Sequence, residues 1–260
     1  MIFIEGTRFG FVCLMTIILS VVYYVRRTKS GHILNLRRIP GIDAIDEAVG
    51  RCAEMGRPIF CCHGTGGLQG ADDGPQTLAG LSVLSYVAEK SAKLGAKLWV
   101  PVRQPTIWPI AAEIVENAYR LSNRLDEYQP ENVVFLSNHQ HAFASNYLGL
   151  MFRERVGANI MIGAFWSESM YLLESGNREG AIQIGGTASM AQLPFFIVAS
   201  DYCLIGEEIF AAGAYVSKDP IQSSTIAGED FGRILACILM ILGALLATIS
   251  SDALLNLMRM

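Results

Sequence analysis

Two long apolar runs bracket the chain, and short apolar runs alternate with amphipathic stretches between them. The first, Phe9 to Val25, is uninterrupted, and its 17 residues are the short end of what crosses a bilayer. The second, Phe231 to Ile249, is broken only by Arg233. Its purely apolar part, Ile234 to Ile249, is marginal for a full crossing, although Leu254, Leu255, Leu257 and Met258 follow it. Residues 30–41 read as a linker. Ile42, Ile45, Ala48 and Val49 then recur at helical spacing up to Met55. From Pro58 onward the pattern predicts strands at 58–62, 97–102, 133–137, 159–164, 181–185 and 202–206. It predicts helices at 75–94, 107–124, 142–155, 167–176 and 189–199, with Gly95, Gly157 and Gly180 each closing a helix before the next strand. Strands that are almost continuously apolar, in regular alternation with helices, predict an α/β fold. The expected architecture is a Rossmann-like, mostly parallel sheet with helices on both faces and right-handed crossovers.

This pattern divides the chain into an N-terminal transmembrane anchor (1–29), a linker (30–41), a Rossmann-like α/β domain (42–228) and a C-terminal transmembrane or membrane-associated helix (229–260). Arg26, Arg27, Lys29, Arg37 and Arg38 follow the first apolar run, whereas only Arg8 precedes it. A cleaved signal peptide has the opposite arrangement. The positive-inside rule therefore puts the N-terminus outside and the α/β domain in the cytoplasm of a prokaryotic cell. Arg233 is expected at the cytoplasmic boundary, where it can snorkel. Gly243, Ala244 and Ala247 form a small-residue stripe suited to close packing with the first span or with another subunit.

Composition agrees with a folded body on membrane segments: 52% of residues are hydrophobic and mean hydropathy is +0.35. A net charge of −4 gives no basic excess for nucleic acid. The six cysteines, Cys13, Cys52, Cys61, Cys62, Cys203 and Cys237, include no CxxC pair. They read as reduced and structural, with Cys61 and Cys62 on opposite faces of one strand.

Candidate chemistry gathers at the carboxyl ends of the strands, where ligands bind in open α/β sheets. The run from Pro58 to Leu81 reads as a strand, a glycine-rich turn (His63, Gly64, Thr65, Gly66, Gly67) and a helix starting near Pro75. Free backbone N–H groups and a helix dipole there would favour an anion. Arg103 follows the second strand; Asn138, His139 and His141 the third; Ser167 and Glu168 the fourth; Gly185, Gly186 and Thr187 the fifth; Glu207 and Glu208 the last. No Walker A lysine follows the glycines, and their spacing departs from GxGxxG. Arg103, where a ribose-binding acid would stand, favours a phosphate instead. Asp72 and Asp73 are placed to cap the helix near Pro75. His139 and His141 lack a third ligand, so no metal is expected. No GxSxG elbow occurs, and Cys62 beside His63 does not make a catalytic pair by adjacency. Neither a catalytic residue nor a cofactor is assigned from these features.

Five segments taken together carry a resemblance. GTGG (64–67), QTLAGL (76–81), VGANIMIGAF (156–165), GGTA (185–188) and IGEEIFAAGAY (205–215) resemble an uncharacterised prokaryotic family of membrane-anchored bacterial and archaeal proteins, a domain of unknown function. The resemblance spans about 40 to 225. It implies a membrane-attached α/β domain and carries over no catalytic residues. Two functions are expected from the whole: a membrane-tethered scaffold or accessory subunit that assembles with itself or with other membrane proteins, or a domain holding an anionic small molecule through His63, Thr65, Thr187 and Glu208.

Overall fold

The computed structural model describes residues 8–29, 39–217 and 220–248. Residues 30–38 of the expected linker (30–41) and the apolar tail after Thr248 lie outside the described residues; the last two residues of that linker, Pro40 and Gly41, belong to a helix. The chain forms two compact units. One is residues 37–217; the other joins residues 1–36 to 218–260.

In the larger unit, α2 (Pro40–Met55) leads into six strands: β1 (Ile59–Gly64), β2 (Leu98–Val102), β3 (Val133–Phe135), β4 (Ala158–Ala164), β5 (Ile182–Thr187) and β6 (Tyr202–Ile205). Between and after them lie α3 (Asp73–Leu94), α4 (Trp108–Leu121), α5 (Gln140–Glu154), α6 (Glu168–Arg178), α7 (Leu193–Ala199) and α8 (Glu208–Ser217). The sheet order is β3-β2-β1-β4-β5-β6, and every pairing is parallel. This is the order of a doubly wound sheet, with its switch point between β1 and β4.

The period-2 pattern of each strand sorts its side chains into two layers. Ile59, Cys61, Val100, Ile160, Ile162 and Ile184 pack under residues of α2, α3, α4 and α8. Phe60, Cys62, Trp99 and Met161 pack under residues of α5, α6 and α7. Cys61 and Cys62 do face opposite layers, and all six cysteines are free thiols. Burial pushes the Cys62 thiol up to about 12, and that of Cys61 higher still. One buried polar chain crosses the second layer. Tyr147 Oη donates to Asn159 Oδ1 (2.8 Å), Asn159 Nδ2 to Gln183 Oε1 (2.9 Å), and Gln183 Nε2 to the Leu173 carbonyl (3.0 Å).

Element ends differ from expectation in instructive places. Helix α3 begins at Asp73, before Pro75, and Asp72 stands at its N-cap without a side-chain cap hydrogen bond. Gly74 N–H is satisfied instead by the Gly70 carbonyl at 2.9 Å. Helix α5 is closed by Arg155, in the left-handed region at φ 55°. Gly157 is thereby left to donate its N–H to the Pro58 carbonyl (2.8 Å), at the start of the β1–β4 pairing.

The smaller unit contains α1 (Arg8–Lys29) and α9 (Pro220–Thr248). Within α1, Phe9–Thr28 is long and apolar enough to cross a membrane, and 6% of it is buried. It is the one such helix found among the described residues. The two helices run antiparallel. A Cβ on Gly228 would sit 2.6 Å from Val21 Cγ2, one on Gly232 3.5 Å from Ile17 Cγ1, and Ser20 Oγ donates to the Gly228 carbonyl at 3.2 Å. Close approach thus uses the pair Gly228 and Gly232, four apart in the manner of GxxxG. Of the expected stripe, Gly243 is half-buried and Ala244 exposed.

Candidate functional site

At the switch point β1 and β4 come together through their glycines. Gly64 has φ +104° and Gly163 φ +146°, conformations that glycine reaches without strain. A Cβ at Gly64 would meet the Ala164 backbone N at 2.7 Å. Gly66 fits against Ala164 Cβ and Asp73 Cβ, at 2.7 and 2.9 Å from its own missing Cβ. Gly80, one turn further into α3 than the loop contacts, has no room for a Cβ: it would lie 2.5 Å from the His63 carbonyl oxygen and closer still to that of Ile162. These glycines therefore serve close packing of backbone on backbone. Gly67 alone among the three candidates at 64, 66 and 67 opens onto free space, its missing Cβ having nothing nearer than Gln69 N at 4.0 Å.

The polar candidates on the β2 and β5 sides of this turn spend their hydrogen bonds within the fold. Thr65 is fully buried. Its N–H donates to the Ala164 carbonyl (2.7 Å), its hydroxyl to Glu168 Oε1, and its carbonyl accepts Arg103 Nη1 (3.1 Å). Arg103 also donates to the Asn138 carbonyl (3.2 Å) and stacks over the Trp166 ring, 5.4 Å from its centroid. Glu168, 1% exposed, accepts further hydrogen bonds from Gln140 Nε2 and from Trp166 N–H (3.2 Å). Thr187 donates to Gln76 Oε1 (3.3 Å), which also accepts Ala188 N–H (2.9 Å). Glu208 Oε2 accepts the Ile205 N–H (3.0 Å), tying the first turn of α8 to strand β6. Glu207 begins α8 through its carbonyl, which accepts Phe210 N–H at 3.0 Å.

His63 lies 1% exposed, with no hydrogen-bond partner at either ring nitrogen. Burial holds its pKa down at about 4, so the ring is neutral at physiological pH. His139 precedes α5 and His141 sits in its first turn. Among the described residues no group of three or more His, Cys, Asp or Glu is placed to hold a metal ion.

Beside this closed network lies an open cleft of about 490 Å³. Asp72, Asp73, Pro75 and Gln76 form one wall; Ala164, Phe165 and Trp166 form another, and Ala188, Ser189 and Phe210 complete it. Two carboxylates and three aromatic rings line it, and no basic side chain does. Of the sequence candidates, Gly66 and Thr187 lie behind its walls, through Asp73 and Gln76. Arg103 backs onto Trp166, while His63, Glu207 and Glu208 do not line it. Of the residues that hold the loops together, Glu168 was placed at the rim without a role and Gln76 was not among the candidates. Their partners lie more than a hundred residues away, and only the capping-type position of each at a helix start could have marked them.

The chain belongs to the family described as a domain of unknown function (DUF6754), which matches residues 2–258. No curated protein and no solved structure matches it.

Proposed function

We propose that this chain is a membrane-anchored scaffold or accessory subunit whose α/β domain faces the cytoplasm and assembles with further copies of itself or with other membrane proteins. The observation that carries this reading is helix α7. Its sequence LPFFIVA is apolar throughout, yet Phe196 is its one buried residue. Phe195, Ile197 and Val198 are exposed, Val198 by 86%, and Met190 in the preceding loop by 79%. A helix that is apolar all round belongs in an interior. Exposed apolar area of this kind marks an interaction surface. Met170 and Tyr171 of α6, against which α7 packs, are also exposed. The closed state of Thr65, Arg103, Glu168 and Thr187 supports the same reading, since each spends its polar groups within the fold. Two crossings are supported by the apolar second half of α9 and by its antiparallel return along α1. The basic cluster after the first run supports an outside N-terminus.

The test is the size of the full chain in mild detergent. An assembly larger than one chain is expected, and Val198→Asp should reduce it while leaving the melting temperature of the α/β domain unchanged. A strict monomer under partner-preserving conditions, with nothing co-purifying, would overturn the reading.

A second reading is favoured by the open cleft: a domain that binds a small molecule there. The glycine-rich turn by itself suggests an anion or nucleotide. Asp72 and Asp73 in the wall work against an anion by like-charge repulsion, so a neutral or cationic ligand with an apolar part fits better. Thermal shifts of the purified chain against nucleotides and against aromatic amines separate the two, because a ligand that binds only the folded state raises its stability.

A further inference from the structure

The open cleft beside the switch point has a lining that selects its ligand by charge. It lies at the carboxyl ends of β4 and β5, with Ala164 ending one strand and Ala188 just past the other, and the start of α3 forms a further wall. Ligands of open α/β sheets bind at that rim, and a volume of about 490 Å³ is ordinary for a small-molecule site. A helix start usually favours an anion through its free N–H groups. Here those groups are largely missing: Gly74 N–H goes to the Gly70 carbonyl at 2.9 Å, and Pro75 has no N–H. Asp72 and Asp73 place two negative charges on the wall, against only about +0.5 from the helix end.

Both carboxylates are uncommitted. Asp72 stands at the N-cap without capping, and neither it nor Asp73 has a hydrogen bond or ion pair among the described residues. Asp73 is half-buried, its Cβ held against Gly66 and Gly70, so the turn fixes where it stands. Gln76, by contrast, is fully engaged, with its amide on the Asp72 carbonyl (3.1 Å) and its oxygen on Thr187 and Ala188. Trp166 and Phe210, 44% and 41% exposed, bring ring surface to the same cleft. Behind Trp166, Arg103 stacks on the indole and Glu168 accepts the backbone N–H, one positive and one negative charge that offset each other. The wall therefore stays negative. Ring faces beside unpaired carboxylates suit a cation that carries apolar surface of its own. A bare metal ion fits poorly, because hard cations want about six or more oxygens and no group of three His, Cys, Asp or Glu is placed for one among the described residues.

We propose that the cleft binds a small organic amine, its ammonium on Asp72 and Asp73 and its hydrocarbon part against Trp166 and Phe210. An ammonium carries N–H donors and no acceptor, which matches two acceptor-only carboxylates, and the Ser189 hydroxyl in the lining can accept a further N–H. A carboxylate or phosphate on the same body meets like charge there. The proposal rests on the ligand-binding reading given above and names the head group of its ligand. It is independent of assembly through α7, since no residue of α7 lines the cleft.

The test is a binding titration of the full chain in lipid nanodiscs, with empty nanodiscs as the blank. Three probes share a phenylethyl body and differ in the head group: phenethylamine, phenethyl alcohol and hydrocinnamate. Phenethylamine should bind about tenfold or more tightly than the alcohol, hydrocinnamate should not bind, and added salt should weaken the amine. Asp73→Asn, which keeps the shape of the side chain, should lower phenethylamine affinity about tenfold and leave the ligand-free melting temperature unchanged. Asp72→Asn, at an exposed position, serves if that variant is unstable, and Phe210→Ala should weaken the amine as well. Equal binding of amine and alcohol, or tighter binding of hydrocinnamate, overturns the proposal and leaves the ligand-binding reading standing. Amine binding that none of the three variants alters also overturns it, as does magnesium chloride that displaces the amine. No binding by these probes or by nucleotides sinks the ligand-binding reading and this proposal together.

Discussion

His63 is the last residue but one of a central strand, with an imidazole that nothing in the fold protonates or holds. Its folded pKa of about 4 lies below the 6.5 of an unfolded histidine. The unfolded chain therefore takes up the proton first, and stability is full above pH 6.5 and falls as pH drops toward 4. The loss expected across that window is about 3 kcal/mol, from about 1.4 kcal/mol per pKa unit. Melting temperatures measured at intervals from pH 7 to 4 should fall steadily for the native chain and more gently for His63→Leu; parallel curves would show that the ring is not the titrating group. Glu168 is the other residue on which much depends. Glu168→Ala takes the acceptor from the Trp166 N–H, leaves the buried Thr65 hydroxyl only its longer contact with the Ala164 carbonyl (3.4 Å) and leaves the Gln140 amide only Ser167 Oγ (3.0 Å). Chemical denaturation should report a loss of about 3 kcal/mol, from about 1–3 kcal/mol for each unsatisfied group with partial relaxation by water. A loss below 0.5 kcal/mol would mean that the network does not hold the β1 and β4 loops together.

At the level of elements, α3 and α7 make opposite demands. Helix α3 must lie close over β1 and β4, and Gly80 permits it. Gly80→Ala forces backbone apart and should cost about 1–3 kcal/mol, the usual range for overpacking, or prevent folding outright; an unchanged melting temperature would contradict the packing described. In α7, the Phe196 ring packs tilted against that of Phe165, 5.4 Å between centroids. Phe196→Ala should cost about 3–5 kcal/mol, against almost nothing for the exposed Val198. All six strands and the helices between them were legible in the sequence, because hydrophobic period and glycine punctuation are local signals. Ends misread by two residues, as at Asp73, follow from caps supplied by backbone (Gly70 to Gly74) instead of side chains. The site was legible only as a rim. The partners that close it, Thr65 with Glu168 and Gln76 with Thr187, meet through the sheet order, which no local pattern encodes. Arg103 illustrates the limit. A free arginine after β2 would favour phosphate, but the fold commits its guanidinium to two carbonyls and an indole ring.

At the scale of the whole molecule, each unit has its own logic. The α/β unit is a sheet covered on both faces, with an apolar surface at α6 and α7 left without cover. The α1–α9 unit is a helical hairpin joined by glycines, with the ion pair of Asp230 and Arg233 exposed on it. On the anchored reading proposed above, the chain should resist extraction by alkaline carbonate, and Gly228→Leu, which would drive a side chain into Val21, should separate the helices and make the chain easier to extract. Equal extraction of both forms would argue against that contact.

The sheet order also sets a timetable for biosynthesis. Strand β1 takes one neighbour, β2, soon after it leaves the ribosome, but its other neighbour, β4, begins about a hundred residues later. At about 5–20 residues per second, the centre of the sheet stays half-paired for about 5–20 s, and α1 waits about twice as long for α9. A nascent chain stalled before Ala158 should therefore remain protease-sensitive and chaperone-bound, and release past β5 should mark the moment at which the domain closes.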